Sequence, residues 1–158
     1  MARRVRLDDR ALRRLQKRLE ASGNAHVKVG VLGSKGGNAP HDSSGISLVE
    51  LAAIHEFGSP AAGIPERSFI RRTFIEKRRE LEEVITKLAR GVVAGKLDMR
   101  RALDILGAWA SAEVKKTVTA GAHIPPPLKP ATIERKGSDR PLIDTGRLIG
   151  AVTWEVVG

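Results

Sequence analysis

Ala53-Ile54-His55-Glu56-Phe57-Gly58, followed after a short Ser/Pro/Ala/Gly linker by Ile64-Pro65-Glu66-Arg67-Ser68-Phe69-Ile70-Arg71-Arg72, is the stretch on which the reading of this chain turns. Its polar residues are interleaved with Ile54, Phe57, Phe69 and Ile70, which gain by burial, so it reads as a structural elbow rather than a catalytic cassette. Upstream, Ser47-Leu48-Val49-Glu50 matches a capping box, in which the serine hydroxyl accepts an otherwise orphaned backbone N–H and the glutamate reaches back to the cap residue. A helix over residues 48–57 follows. Gly58 is expected to close it in the left-handed conformation. Pro65 suits the first turn of the next helix, with Glu66 against its N-terminal dipole.

That second helix carries Phe69 or Ile70, then Phe74, Leu81, Val84, Ile85 and Leu88 at near-helical spacing before Gly91. The spacing predicts about 25 residues of continuous helix, roughly 37 Å long. Asp98 caps a further helix through Leu103, Leu106, Ala110, Val114 and Val118 toward Gly121. On the amino-terminal side, Leu12, Leu15 and Leu19 give residues 8–21 one narrow apolar stripe on a basic helix. Val27, Val29 and Val31 alternate with polar or small residues as a half-covered strand, and Val152-Thr153-Trp154-Glu155-Val156 alternates as a terminal one. A lone strand is unstable, so the terminal strand must pair with residues 27–32 or with another subunit.

The connections are rich in turn formers. Residues 33–45, dense in Gly, Ser and Asn, are expected to be mobile. Pro125-Pro126-Pro127 and Pro130 are expected to enforce an extended segment, followed by a short helix over 131–136. Pro141-Leu142-Ile143 reads as extended, with Asp144 capping the turn from Thr145 to Ile149. The fold class expected is α+β: a small, mostly antiparallel sheet, built from 27–32 and 152–157, packed against two long helices, with extended Gly-rich and Pro-rich loops. One domain of 158 residues is expected, with a basic arm over 1–22 and an α+β body over 23–158.

Composition narrows the chemistry. The chain has no cysteine, which removes disulfides, zinc-thiolate sites and thiol nucleophiles, and only three Phe, two Trp and no Tyr, so its core is aliphatic. No window reaches the roughly 18 continuous apolar residues of a membrane span, and Met1-Ala2-Arg3-Arg4-Val5-Arg6 lacks the apolar segment of a signal peptide, so a soluble protein without a membrane partner is expected. The formal charge of +10 points to nucleic acid or an acidic protein surface. Arg3, Arg4, Arg6, Arg10, Arg13, Arg14, Lys17 and Arg18 crowd the first eighteen residues. Such a run is most often a solvated face; contact with DNA phosphates or with an acidic partner is the alternative, which keeps a basic, sequence-independent DNA-binding protein as the rival function, and without interleaved aromatics base stacking is disfavoured.

Three chemical motifs are weighed and set aside. Leu142-Ile143-Asp144-Thr145-Gly146 resembles the active-site loop of dimeric aspartic proteases, but that fold is almost all β, and Arg147 stands where a small residue is expected. A helix cap is the preferred reading, with the protease a remote alternative. Gly30-Val31-Leu32-Gly33-Ser34-Lys35-Gly36-Gly37 follows a strand, yet it lacks the Gly-Lys-Ser/Thr ending of a phosphate-binding loop. His55-Glu56 opens like a zincin helix, but no second His follows at the required spacing. No catalytic residue, metal or cofactor is expected.

The joint occurrence of four segments resembles the neck or tail-completion proteins of tailed bacteriophages, at the head-to-tail interface. They are Ala53 through Gly58, Ile64 through Arg71, Ile124-Pro125-Pro126-Pro127 with Thr132 and Lys136, and Leu142 through Leu148. Glu66 and Ser68 replace the small residue and second proline usual in that family's loop. The resemblance implies a non-enzymatic virion protein made in the host cytoplasm, assembling as a hexameric or dodecameric ring around the DNA channel and touching neighbouring connector and tail proteins. It implies tail completion, tail termination or head closure as the role. Subunit or partner contacts are expected at His55, Glu56, Phe57, Pro65, Arg67, Phe69, Ile70, Arg71 and Trp154, with Arg67 and Arg71 pairing with acidic groups. Ser47, Glu50, Gly58, Asp144 and Gly146 are expected to act as caps and turns.

Overall fold

A computed structural model describes residues 9–40, 45–120, 124–127, 129–137, 142 and 146–158. In chain order these form α1 (Asp9–Ser22), β1 (His26–Val31), α2 (Leu48–Phe57), α3 (Ile70–Glu76), α4 (Arg78–Val93), α5 (Met99–Thr119), α6 (Pro130–Lys136), α7 (Arg147–Ala151) and β2 (Val152–Val157). The expected α+β class holds. β1 and β2 form a two-stranded antiparallel sheet in which Val27 faces Val156, Val29 faces Trp154 and Val31 faces Val152. Directly opposed residues share a face, so these three pairs make one apolar surface. The strand partner anticipated for 152–157 is therefore within the chain.

α5 lies across that surface. Its axis approaches closely because Gly107 has no side chain: a Cβ there would stand 2.6 Å from Trp154 Cγ and 2.7 Å from Val27 Cγ2. The core gathers Leu48 and Ala52 of α2, Phe69 before α3, Val114 and Val118 of α5, Leu148 of α7 and Val152 of β2. Phe69, Val114 and Val152 are fully enclosed, and each such side chain contributes about 1.5–3 kcal/mol relative to exposure. α1 contributes nothing to this cluster among the described residues.

The single long helix expected after Pro65 is two helices. Lys77, at φ −96° and ψ 15°, separates α3 from α4, although the hydrogen bonds from Lys77 N to Thr73 O (2.8 Å) and from Leu81 N to Lys77 O (2.9 Å) carry on across it. Both helices pack on α5, so the apolar spacing runs through the break without revealing it. Thr73 is the local contributor. Its hydroxyl donates to Phe69 O at 2.6 Å, and its own N–H is left at 3.4 Å from the same carbonyl, a competition that bends helices. On the far side, Glu80 beside Lys77 holds that ammonium above its ordinary range, and the Glu113 carboxylate lies 3.9 Å away on α5.

Pro65 does not open a helix. Residues 65–68 are irregular and α3 begins at Ile70, while Pro60 opens a short turn over Pro60–Ala62. That turn is closed by reciprocal bonds between Ser59 and Ile64 at 2.8 and 3.0 Å. Gly58 ends α2 with the expected positive φ of 75°, but its ψ of 174° is extended rather than left-handed helical. The chain lies back on itself there, and a Cβ on Gly58 would stand 2.9 Å from Glu66 N.

Other local expectations are corrected in the same way. Pro130 is the first residue of α6 rather than part of an extended run, since a first-turn proline forfeits no helical hydrogen bond. Leu142 has φ 64° and is not extended. Within the 33–45 loop, residues 33–40 are bonded onto the amino end of α2, with Val49 N donating to Gly37 O at 2.9 Å and Leu48 N to Ala39 O at 3.1 Å. Asp144, and the aspartic-protease-like motif around it, lie outside the described residues, as do Arg3, Arg4 and Arg6.

Candidate functional site: a buried carboxylate beneath an exposed ridge

Glu56 occupies the last turn of α2, yet the residue is only 6% exposed because its side chain turns inward to the start of α3. One carboxylate oxygen accepts the Ser68 hydroxyl at 2.7 Å and Arg71 N at 3.0 Å; the other accepts Ile70 N at 2.9 Å. The opening N–H groups of a helix have no partner within it, and a carboxylate there both satisfies them and opposes the helix dipole. α3 is therefore capped by a residue of the preceding helix. Phe69, at its N-cap position, offers no side-chain acceptor.

The capped turn fixes Arg71. Its Nη2 donates to Glu56 O at 3.1 Å and to Glu66 Oε1 at 3.0 Å, and its guanidinium lies 5.9 Å from the Phe57 ring centroid, within cation–π range. Phe57 is 69% exposed, as is Ile75, one turn beyond Arg71 on α3. Beside them runs a shallow groove lined by Glu66, Ser68, Arg71, Arg72, Ile75, Ile124 and Pro125. The result is a ridge of aromatic, cation and aliphatic groups held open to solvent on a rigid polar joint.

The remaining expected interface residues divide. Arg71 finds acidic partners as expected. Arg67 finds none among the described residues: it is buried, and donates from Nε to Pro126 O at 3.1 Å and from Nη2 to Pro127 O at 3.4 Å. Carbonyl oxygens of the proline segment lie where it is buried. Burial pushes the Arg67 guanidinium down from its ordinary range, which lies so far above neutrality that the cation persists. Arg67 N also donates to His55 O at 2.7 Å, so the backbone of the elbow is closed by its own residues. Phe69, expected at a docking surface, is 1% exposed and belongs to the core. Ile70 is half-buried against that core, and Pro65 is exposed on the loop.

Trp154 is half-buried and is likewise committed within the chain, donating from Nε1 to Asp104 Oδ1 at 2.9 Å. Asp104 in turn takes Arg101 Nη1 at 2.8 Å. The capping box is present as expected: Glu50 N donates to Ser47 Oγ at 3.2 Å, and Ser47 N to Glu50 Oε2 at 2.9 Å. The backbone bond from Ser47, followed by its side-chain bond, holds the Glu50 carboxyl below its ordinary range. Gly146 occupies the N-cap position of α7 at φ 73°. On α1, Arg13 lies 3.7 Å from Asp9, and Arg10, Arg14, Lys17 and Arg18 are all exposed.

Sequence reasoning missed Glu56 as a cap, and Glu113 as the buried carboxylate taking Lys116 Nζ at 2.6 Å and facing the joint at Lys77. Ser68, two residues before α3, was a signal for the first, since it marks a helix start without naming the acid that completes it. Among the described residues no group of three His, Asp or Glu side chains comes together as a metal site, and no helix is long and apolar enough to cross a membrane. Comparison with protein-family models, curated proteins and solved structures gave no match.

Proposed function

We propose that this chain is a structural protein of the phage head-to-tail interface, acting in tail completion, tail termination or head closure by assembling as a ring. The observation that carries the reading is the Phe57–Arg71–Ile75 ridge. Two large apolar side chains, each 69% exposed, flank an arginine that is itself positioned by a buried carboxylate. Aromatic and arginine groups on a preorganised surface are the usual anchors of protein contacts, because little conformational freedom is lost when they dock. A heterologous contact of this ridge with a different face of the next copy closes into a ring under rotation. The role asked of the chain is binding rather than chemistry.

The test is the assembly state of purified protein by light scattering and negative-stain electron microscopy, alone and with tail proteins. Rings are expected, and Phe57→Asp with Ile75→Asp is expected to disperse them while leaving the circular-dichroism spectrum unchanged. A protein that stays monomeric under all these conditions, or rings indifferent to both substitutions, would overturn the reading.

A further inference from the structure

We propose that the cationic face of α1, continued by Lys96 of the α4–α5 turn and Arg100 at the start of α5, is a binding site for the phosphate backbone of double-stranded DNA. The proposal stands apart from the ring assembly, because it uses a different surface. At 3.6 residues per turn, Arg10, Arg13, Arg14 and Lys17 fall within an arc of about 100°, centred almost opposite Leu12, Leu15 and Leu19. Arg18, at the edge of the arc, bridges to the body: it lies against Gly95, where a Cβ would stand 2.9 Å from its Nη2. There it joins Lys96 and Arg100 around a pocket also lined by Asp98, which caps α5 through Arg101 N at 2.8 Å, and by Gly158, whose O accepts from Arg100 Nη1 at 3.4 Å. The tertiary structure thus extends a helical charge run into a surface spanning two elements.

The geometry favours a duplex over the other anionic surfaces. A helix that lies in a bilayer interface buries an apolar face of large residues, aromatic ones among them, opposite its cations. Here that face is a stripe of three leucines with no aromatic, and Asp9 and Glu20 flank it on one side, where the headgroups of an anionic lipid would lie. No aromatic residue lies on α1, so single-strand base stacking has no platform. The cations of α1, from Arg10 to Arg18, run along about 12 Å of helix, a length that can meet neighbouring phosphates of one duplex. Leu12 and Leu19 stay 62% and 48% exposed in the isolated chain.

The test is the salt dependence of binding to a short labelled duplex of mixed sequence, read by fluorescence anisotropy from about 50 to about 200 mM salt. Binding independent of base sequence is expected. The R13Q/R14Q/K17Q variant should flatten the plot of log affinity against log salt by about one unit per cation removed, roughly three in all. R78Q/R79Q/K87Q, an equal loss of charge on α4, should leave the slope unchanged. Both variants touch exposed side chains outside the core, and their melting temperatures check that the fold is kept. Equal flattening in the two variants overturns the site and leaves only net charge. Failure of the parent protein to bind the duplex at the lowest salt overturns it too, whether or not phosphatidylserine vesicles or an acidic protein bind instead.

Discussion

Replacing Glu56 by alanine removes the acceptor of three hydrogen bonds at once and leaves Ile70 N and Arg71 N, in the first turn of α3, without their protein partner. A lost helix cap costs about 0.5–2 kcal/mol, and a hydrogen bond to a charged acceptor contributes about 1.5–3 kcal/mol. Two effects reduce the sum. Alanine relieves the desolvation of the buried carboxylate, and the half-exposed Arg71 lets water reach part of the vacated site. The net expectation is about 2–4 kcal/mol, which for a chain of this size lowers the melting temperature by roughly 4–16 °C. Glu56→Gln keeps the shape and one carbonyl oxygen but turns an amino group toward N–H donors, and should cost about half as much. Arg71→Ala removes half-exposed interactions with Glu66 at 3.0 Å, Glu56 O at 3.1 Å and the Phe57 ring, and should cost about 1 kcal/mol, less than loss of the carboxylate. Urea denaturation ranks the three. Amide exchange at Ile70 and Arg71 should accelerate in Glu56→Ala while exchange at Val114 follows only global stability. If Arg71→Ala proves costlier than Glu56→Ala, or exchange at Ile70 and Arg71 is unchanged, the carboxylate is not the cap and the reasoning fails.

Gly107→Ala should overpack the seam between α5 and the sheet, at about 1–3 kcal/mol, offset by about 1 kcal/mol of helix propensity; a net stabilisation would show that the seam is loose. Trp154 fluorescence should shift in that variant, because the added methyl meets the indole. The Ser47–Glu50 capping box predicts an acid dependence. Since the folded state holds the Glu50 carboxyl below its ordinary 4.5, its support for α2 is full above that value and fades as pH falls through the lower folded one. Denaturation midpoints measured from about pH 6 to about pH 3 should therefore fall less steeply in Ser47→Ala than in the parent; equal slopes would refute the linkage.

How far the elbow could be read from residues alone depended on whether each signal was local. α2 was legible at both ends, Leu48 and Phe57, because the Ser47–Glu50 box acts within one turn and Gly58 lies immediately after the helix. The cap of α3 was not, because Glu56 reaches donors 14 and 15 residues away, and no spacing rule links a carboxylate to a helix it does not belong to. Pro65 was misread for a related reason. A proline fits an extended loop as well as a first helical turn, and the bonds from Ser59 to Ile64 and from Arg67 to His55 decided between them.

The amino-acid sequence by itself determined α2, α5, both strands and the α+β class, since hydrophobic period and capping chemistry act over a few residues and survive any packing arrangement. Only the tertiary structure decided which aromatic of the elbow faces inward. Phe57 and Phe69 look alike in sequence, but Phe69 falls where α2, α5 and α7 converge and is enclosed, whereas Phe57 is left outside under Arg71. It likewise decided that the helix breaks at Lys77, that Trp154 is held by Asp104, and that Arg18 joins Lys96 and Arg100. Apart from the local Thr73 bond to Phe69 O beside the Lys77 break, each of these depends on groups far apart along the chain, and their free energy exists only once the elements have docked.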